Sequence, residues 1–341
     1  MGCLILLIIG CSGVTTRYQP DPGVPVLAPH EPAYEETIQL RYLGAGGYLI
    51  RRGKHAILTA PLYTNPGWLR VGLGWIAPDT ALIDRLHPPT STGEVGAILV
   101  GHAHYDHLLD VPYIARKYHP EAKIYGNRSM ANLVVAAEPR LVDQVRVLEE
   151  EVARGGQPGK WFYLADSTIR FMAIESDHGP HFLGIHVMKG EAEAGLKGVP
   201  RSAWGWKEGE TLAYLIDFLG PDKAINFRIH YQDATSHYPL GAPPDFAPPD
   251  SHRLDLAITC VDTWFQVPDY PEALIRNHRP RYVILGHWEN FLRSPLKPPW
   301  TRFSSLRLRR FIPSVLDALP PDTDWIVPLP GALYRYRPAP R

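Results

Sequence analysis

The hexapeptide His102-Ala103-His104-Tyr105-Asp106-His107 places three imidazoles and a carboxylate within six positions, directly after the apolar run Val95-Gly96-Ala97-Ile98-Leu99-Val100. A short apolar run of this kind reads as a buried strand. Behind the hexapeptide, Leu109, Val111, Ile114 and Ala115 recur at helical spacing between Leu108 and Tyr118, and His119-Pro120 closes the segment. The polar residues therefore occupy the loop that leaves a strand and enters a helix. Alternate residues of an extended segment face the same way, so His102 and His104 can share one metal ion. The turn into the helix swings Asp106 and His107 toward a second. Imidazole and carboxylate donors suit Zn²⁺ and tolerate Mn or Fe.

One metal needs at least three protein ligands and a pair needs more, so further His and Asp should end other strands. They do. Glu175-Ser176-Asp177-His178-Gly179-Pro180-His181 follows the run Thr168 to Ile174, Gln232-Asp233-Ala234 follows Ile225 to Tyr231, and Gly286-His287-Trp288 follows Tyr282 to Leu285. Two positions have rivals. His181 competes with His178, and Asp217, inside the apolar run Leu212 to Phe218, competes with Asp233.

From residue 37 the chain alternates short β runs with turns. Thr37 to Leu43, Gly47 to Arg51 and His55 to Ala60 read as a three-stranded meander around Gly44-Ala45-Gly46. Leu254 to Val261 is a further strand, Pro271 to Asn277 and Ser304 to Leu319 read as helices, and Trp325 to Val327 and Ala332 to Tyr334 close the chain as strands. Strands in both halves with helices between them predict an α/β (α+β) domain over 37–341, two packed sheets covered by helices. With 35 Lys plus Arg against 35 Asp plus Glu, there is no field to attract nucleic acid. No GxSxG elbow is present, and Gly44-Ala45-Gly46-Gly47 misses the third glycine of a dinucleotide loop, which makes it a hairpin turn. Cys260, inside an apolar run, reads as a buried thiol.

Residues 1–11 carry an unbroken apolar run from Leu4 to Ile9, followed by Gly10-Cys11, the pattern of a lipoprotein cleavage site. Lipid on Cys11 would tether the protein to the cell envelope, with 12–36, rich in Pro, as linker. No Lys or Arg precedes the run, so the export signal is incomplete as written and a cytoplasmic location is the alternative.

On these residues the chain, from 38 to about 335, resembles the metallo-β-lactamase superfamily, whose HxHxDH motif matches His102, His104, Asp106 and His107. The resemblance implies a four-layer αββα sandwich with His102, His104 and His178 on a first metal. Asp106, His107 and His287 would hold a second, and Asp233 would bridge. Two departures stand out: Gln-Asp-Ala where the family usually has Gly-Asp-Thr around Asp233, and Ala60 where many relatives have an acidic residue supporting the ligands. The implied activity is binuclear hydrolysis of an ester or phosphodiester bond. Two divalent ions would lower the pKa of a shared water, and Asp106 or Asp233 would handle the proton. Aromatics at Trp68, Trp75, Trp204, Trp206, Trp264, Phe265 and Trp288 suggest a lipid-like substrate entrance, or only loop packing. The organisation is similar to the N-acylphosphatidylethanolamine phospholipase branch. A lactonase, or a non-catalytic envelope protein binding metal or ligand, is the alternative.

Overall fold

The computed structural model describes residues 31–338 apart from 32, 92, 165, 166, 182, 183 and 300. The predicted anchor at Cys11 and the linker up to residue 30 lie outside the described residues. Among the described residues no helix is long and apolar enough to cross a membrane.

In chain order the elements are β1 (Ile38–Gly44), β2 (Gly47–Arg52), β3 (His55–Thr59), α1 (Trp68–Leu73), α2 (Thr80–Leu86), β4 (Val95–Leu99), α3 (Tyr105–Leu108), α4 (Val111–Tyr118), β5 (Lys123–Gly126), α5 (Arg128–Ala137) and β6 (Val145–Val147). The second half contains β7 (Phe162–Tyr163), β8 (Ile169–Glu175), β9 (Leu212–Leu219), β10 (Ile225–Gln232), β11 (Leu256–Cys260), α6 (Glu272–His278), β12 (Tyr282–Gly286), α7 (Arg302–Ala318), β13 (Asp324–Ile326) and β14 (Leu333–Tyr336).

The strands form two seven-stranded sheets, ordered β14-β1-β2-β3-β4-β5-β6 and β13-β12-β11-β10-β9-β8-β7. Each is half antiparallel and half parallel, switching at β3/β4 in the first sheet and at β10/β11 in the second. The meander expected at β1 to β3 is present, with Tyr42 opposite Tyr48 across the glycine turn.

The strand period of two distributes side chains between two environments. Along β9, Leu212, Tyr214, Ile216 and Phe218 point into the core between the sheets, where they meet Leu40, Tyr42, Ile57 and Leu99 of the first sheet. Ala213 and Leu215 point the other way, into a second core with Ile275, Phe311, Ile312 and Val315 of α6 and α7. Leu49, Leu58 and Ile98 on the outer face of the first sheet pack against Ile114, Ala115, Leu133 and Val134 of α4 and α5. Both faces of both sheets are thus covered, which gives the four-layer αββα sandwich and explains why β9 is buried at all eight positions.

Two expectations need adjustment. The helix read as continuous from Leu108 to Tyr118 is two pieces, because the chain turns at Leu109-Asp110 before Val111-Pro112 opens α4. Pro is well suited to a first helical turn and its fixed φ favours a fresh start there. Tyr34, assigned to the linker, is buried, and its carbonyl accepts the N–H of Gly53 in the β2–β3 turn.

Beneath α4 lies a polar chain in which Tyr63 OH meets His87 Nδ1 at 3.2 Å and His87 Nε2 meets His119 Nε2 at 3.0 Å. Two ring nitrogens in contact require one donor and one acceptor, so both rings must not be cationic. Burial holds His87 down to about 3 and His119 to about 4. The unfolded chain takes up these protons near pH 6.5. Their contribution to stability is therefore complete above that pH and is lost as the pH falls toward 4. The urea midpoint is expected to drop between pH 7 and pH 5, and to drop less in His87→Gln, which keeps a polar contact but cannot titrate.

Candidate metal centre

The sandwich brings four strand ends to one rim. β4 runs through Val100 and Gly101 into His102. His178 lies three residues past β8, Asp233 directly follows β10, and His287 directly follows β12. His287 adopts a left-handed backbone with φ of 53°, a conformation costly for a residue with a Cβ. Its N–H donates to Tyr42 OH at 3.0 Å, which helps hold that turn.

The ligand atoms gather in three groups, each within 4.8 Å: His102, His104 and His178; His102, His107 and Asp233; Asp106, His107 and His287. All seven predicted residues are thus brought together. His178 rather than His181 joins His102 and His104, with ring centroids 4.8 and 4.9 Å away. His181 stacks behind it at 4.4 Å. Asp217 is elsewhere, fully buried between Arg170 (Nε to Oδ2, 2.9 Å) and Arg228 (Nε to Oδ1, 2.7 Å). Its presence inside an apolar strand is explained by these two cations, and it is no rival to Asp233.

Asp233 is the most enclosed of the group. Its Oδ1 accepts from Tyr231 OH and lies 2.8 Å from His107 Nδ1, and its Oδ2 accepts from Gly101 N–H at 3.1 Å and faces His102 Nδ1 at 3.2 Å. Glycine is obligatory at two neighbouring positions. A Cβ on Gly46 would stand 2.2 Å from Asp233 Oδ1, and one on Gly101 would stand 2.4 Å from Asp233 Cβ. The glycine turn is therefore more than a hairpin, because it closes over the carboxylate. Glu289 fixes that turn from the far side, accepting from Ala45 N–H and from Tyr42 OH.

Burial, the largest single influence, would raise both carboxyls, but His107 together with His287 at Asp106, and together with His102 at Asp233, outweighs it and holds both well below the usual range. His107 is pushed up to about 10, since Asp233 and Asp106 overcome the effect of its burial. His102, His104 and His178 are depressed by burial and by neighbouring imidazoles, which keeps them neutral, the form that binds a metal. His102 Nε2, on the ring whose Nδ1 faces Asp233, is buried without a hydrogen-bond partner. Asp106 Oδ2 faces His107 Nε2 at 3.3 Å and His287 Nε2 at 3.5 Å. A buried imidazole nitrogen without a partner, beside two carboxylates and imidazoles whose ligand atoms lie within 4.8 Å of one another, is what a pair of divalent cations would satisfy, so the residues fit the group.

Three contributors were missed by the sequence reading. Asp110 accepts from Tyr63 N–H and Thr64 N–H, both at 2.7 Å, and ties the loop after β3 to the motif, with burial pushing its carboxyl up to about 6. Glu289 sits two residues past His287 and could have been noticed for that proximity alone. Glu208 lies in an irregular stretch, its Oε2 3.7 Å from His104 Nε2, and burial pushes its carboxyl up to about 7.

Beside the ligands lies a cavity of about 240 Å³ lined by His104, Asp106, His178 and His181 on one side and by Val71, Met188, Trp204, Phe291 and Leu292 on the other. Of the aromatics expected at this entrance, Trp68, Trp75, Trp204 and Phe265 are exposed. Trp206 and Trp288 are buried, their indole N–H groups donating to the carbonyls of Pro200 and Pro328, and serve packing.

Residues 62–218, which include the HxHxDH run and His178, match the beta-lactamase superfamily domain. Over these residues the chain carries the domain of the metallo-β-lactamase superfamily. A comparison with curated proteins finds no match. Among solved structures it is similar to Igni18, a metallo hydrolase from Ignicoccus hospitalis, at 15% identity, 88% coverage of this chain, 99% of that chain and a TM-score of 0.47. It is also similar to the metallo-β-lactamase fold protein YhfI from Bacillus subtilis (12%, 88%, 100%, 0.47). CmlA, a diiron β-hydroxylase from Streptomyces venezuelae, is a third (13%, 90%, 55%, 0.45).

The division between superfamily site and structural ion pair is open to a direct comparison. Asp217→Asn leaves Arg170 and Arg228 buried without their counter-charge and is expected to cost about 3–5 kcal/mol in urea denaturation while bound metal is unchanged. Asp233→Asn is expected to lower bound metal, measured by elemental mass spectrometry, in a chain that still folds.

Proposed function

We propose that this protein is a binuclear metal-dependent hydrolase acting on an ester or phosphodiester bond of a small, lipid-like substrate. The observation that carries this reading is the convergence of seven His and Asp side chains from four strand ends into three groups linked through His102 and His107, with the buried Asp233 in the middle group. His102, His104 and His178 would hold one ion, Asp106, His107 and His287 the other, and Asp233 would lie between them. Zn²⁺ is the ion of first choice for this donor set, with Mn or Fe tolerated. Bound there, the ions supply an activated water near neutral pH and polarise the scissile carbonyl or phosphoryl oxygen.

The chain's own residues divide the remaining work. The Asp233 oxygens are committed to Tyr231, Gly101 N–H, His102 and His107, so it acts as an anchor. Asp106 lines the cavity and is the carboxylate placed to take up the proton of the attacking water and return it to the leaving oxygen. Val71, Met188, Phe291 and Leu292 exclude bulk water from the substrate side. The exposed Trp68, Leu69, Leu73 and Trp75 around α1 would receive the apolar part of the substrate. A lipid on Cys11, holding the protein at the cell envelope, would place this entrance near such substrates.

Elemental mass spectrometry of the purified protein is expected to find about two Zn, Mn or Fe per chain. Turnover of bis-nitrophenyl phosphate, nitrophenyl esters and a lactone then assigns the bond class. His104→Ala should lose metal and turnover together in a folded chain, and a metal-free variant that still turns over would overturn the mechanism. Protein that stays metal-free after reconstitution would overturn the function itself.

The substrate entrance has its own test. Trp68→Ser with Trp75→Ser is expected to raise KM several-fold for a long-chain nitrophenyl ester while leaving kcat/KM for the acetate ester near wild type. Equal effects on both esters would remove the apolar entrance from the reading.

A further inference from the structure

Glu208 stands in an unusual relation to the HxHxDH run. Its backbone carbonyl accepts the N–H of Ala103, the residue between the first two histidines, at 2.9 Å, and accepts Asn127 Nδ2 at 2.7 Å. Its own N–H donates to the Met188 carbonyl at 3.1 Å. The backbone of the residue is thus pinned on three sides, which sets its Cα beside the histidine run. Glu208 Oε2 and His104 Nε2 are both buried without a hydrogen-bond partner, and they face each other at 3.7 Å. Two enclosed, unsatisfied groups of opposite hydrogen-bonding character at that separation are a few tenths of an ångström from satisfying one another.

We infer that Glu208 is the positioning carboxylate of the site: it accepts the Nε2–H of His104, fixes that tautomer, and thereby presents Nδ1 to the metal. A neutral imidazole carries one N–H, so the partner of one nitrogen decides which nitrogen keeps a free lone pair. A ligating histidine whose other nitrogen donates to a carboxylate is also a stronger and better-oriented donor. Position 60, at the end of β3, is a buried alanine and offers no carboxylate, so the support comes instead from the loop before β9. The role belongs to positioning rather than catalysis, because Glu208 reaches the reaction only through His104.

This inference rests on the metal-dependent reading above, and the experiment separates the two. Zn²⁺ affinity is measured by competition with a chromophoric chelator for wild type, Glu208→Ala and Glu208→Gln, with thermal melting as the control for folding. The contacts of Glu208 through its backbone persist in both variants. Glu208→Ala is expected to bind Zn²⁺ about ten- to a hundredfold more weakly. Glu208→Gln, whose amide oxygen still accepts a hydrogen bond, is expected to recover part of that loss. Nitrogen-15 correlation spectra of the metal-free protein are expected to show His104 protonated at Nε2 in wild type and a mixed tautomer in Glu208→Ala. Wild type that binds no Zn²⁺ would overturn the metal reading. Tight binding by wild type and both variants alike, or a His104 protonated at Nδ1 in wild type, would overturn the role of Glu208 alone.

Discussion

The burial of Asp233 is the constraint on which the rest of the structure depends. An ionised carboxylate taken out of water is tolerated only when its oxygens are met by donors and its charge by a nearby cation. Every supplier comes from a different part of the chain: Tyr231 from the same strand, Gly101 from the end of β4 in the other sheet, His107 from α3. The sheets must therefore meet at one register, and the turn at Gly46 must approach without a Cβ. Glu289 and Tyr42 hold that turn down from the opposite side and engage the backbone of His287 as well. One buried charge thus links the glycine turn, the histidine run and the last ligand into one unit.

The site lies at strand ends for a related reason. The three cores commit nearly every strand side chain to packing, the inner faces to the space between sheets and the outer faces to helices. Polar groups within a strand then need their own partners, as Asp217 shows with two arginines. At the strand ends the backbone leaves the sheet, side chains from β4, β8, β10 and β12 can converge, and a cavity remains open beside them. Rigid strands aim the ligands, while the loops around Trp68 and Trp204 border the apolar side.

What could be read from the chain follows the same physics. The strand and ligand pattern was legible because a metal site needs particular side chains at strand ends, and His102 to His107 advertise themselves by density. β8, β9, β11 and β12 were legible because burial on both faces leaves nearly continuous apolar runs, and β10 because Ile225, Phe227, Ile229 and Tyr231 alternate with polar residues. β5, β6 and β7 were not, since runs such as Lys123–Gly126 and Phe162–Tyr163 are too short to show a period. The outer supports were hidden for a different reason. Asp110, Glu208 and Glu289 work through contacts with residues such as Tyr63, His104 and Tyr42, and no local spacing encodes such a meeting. Asp217 and Asp233 could be separated only once Arg170 and Arg228 were seen to surround the former.

The charge arrangement inside the site bears on how it is assembled. Asp106 and Asp233 are both held ionised, and His107, lying between them, is pushed up to about 10 and carries the compensating proton. The four other histidines of the group include three kept neutral by burial and by one another. An Asp–His–Asp triad of this kind lowers the electrostatic cost of gathering seven ligands during folding, and three hydrophobic cores supply the cohesion independently. Small metal-folded domains differ, because there the ion supplies the folding energy. Divalent cations held by these residues would take over the neutralisation of Asp106 and Asp233, in a frame already set by Gly46, Gly101 and Tyr231. Such a preformed site, open on the Asp106 side to a cavity, has the character of a reaction centre, since a structural metal site would be closed on all sides.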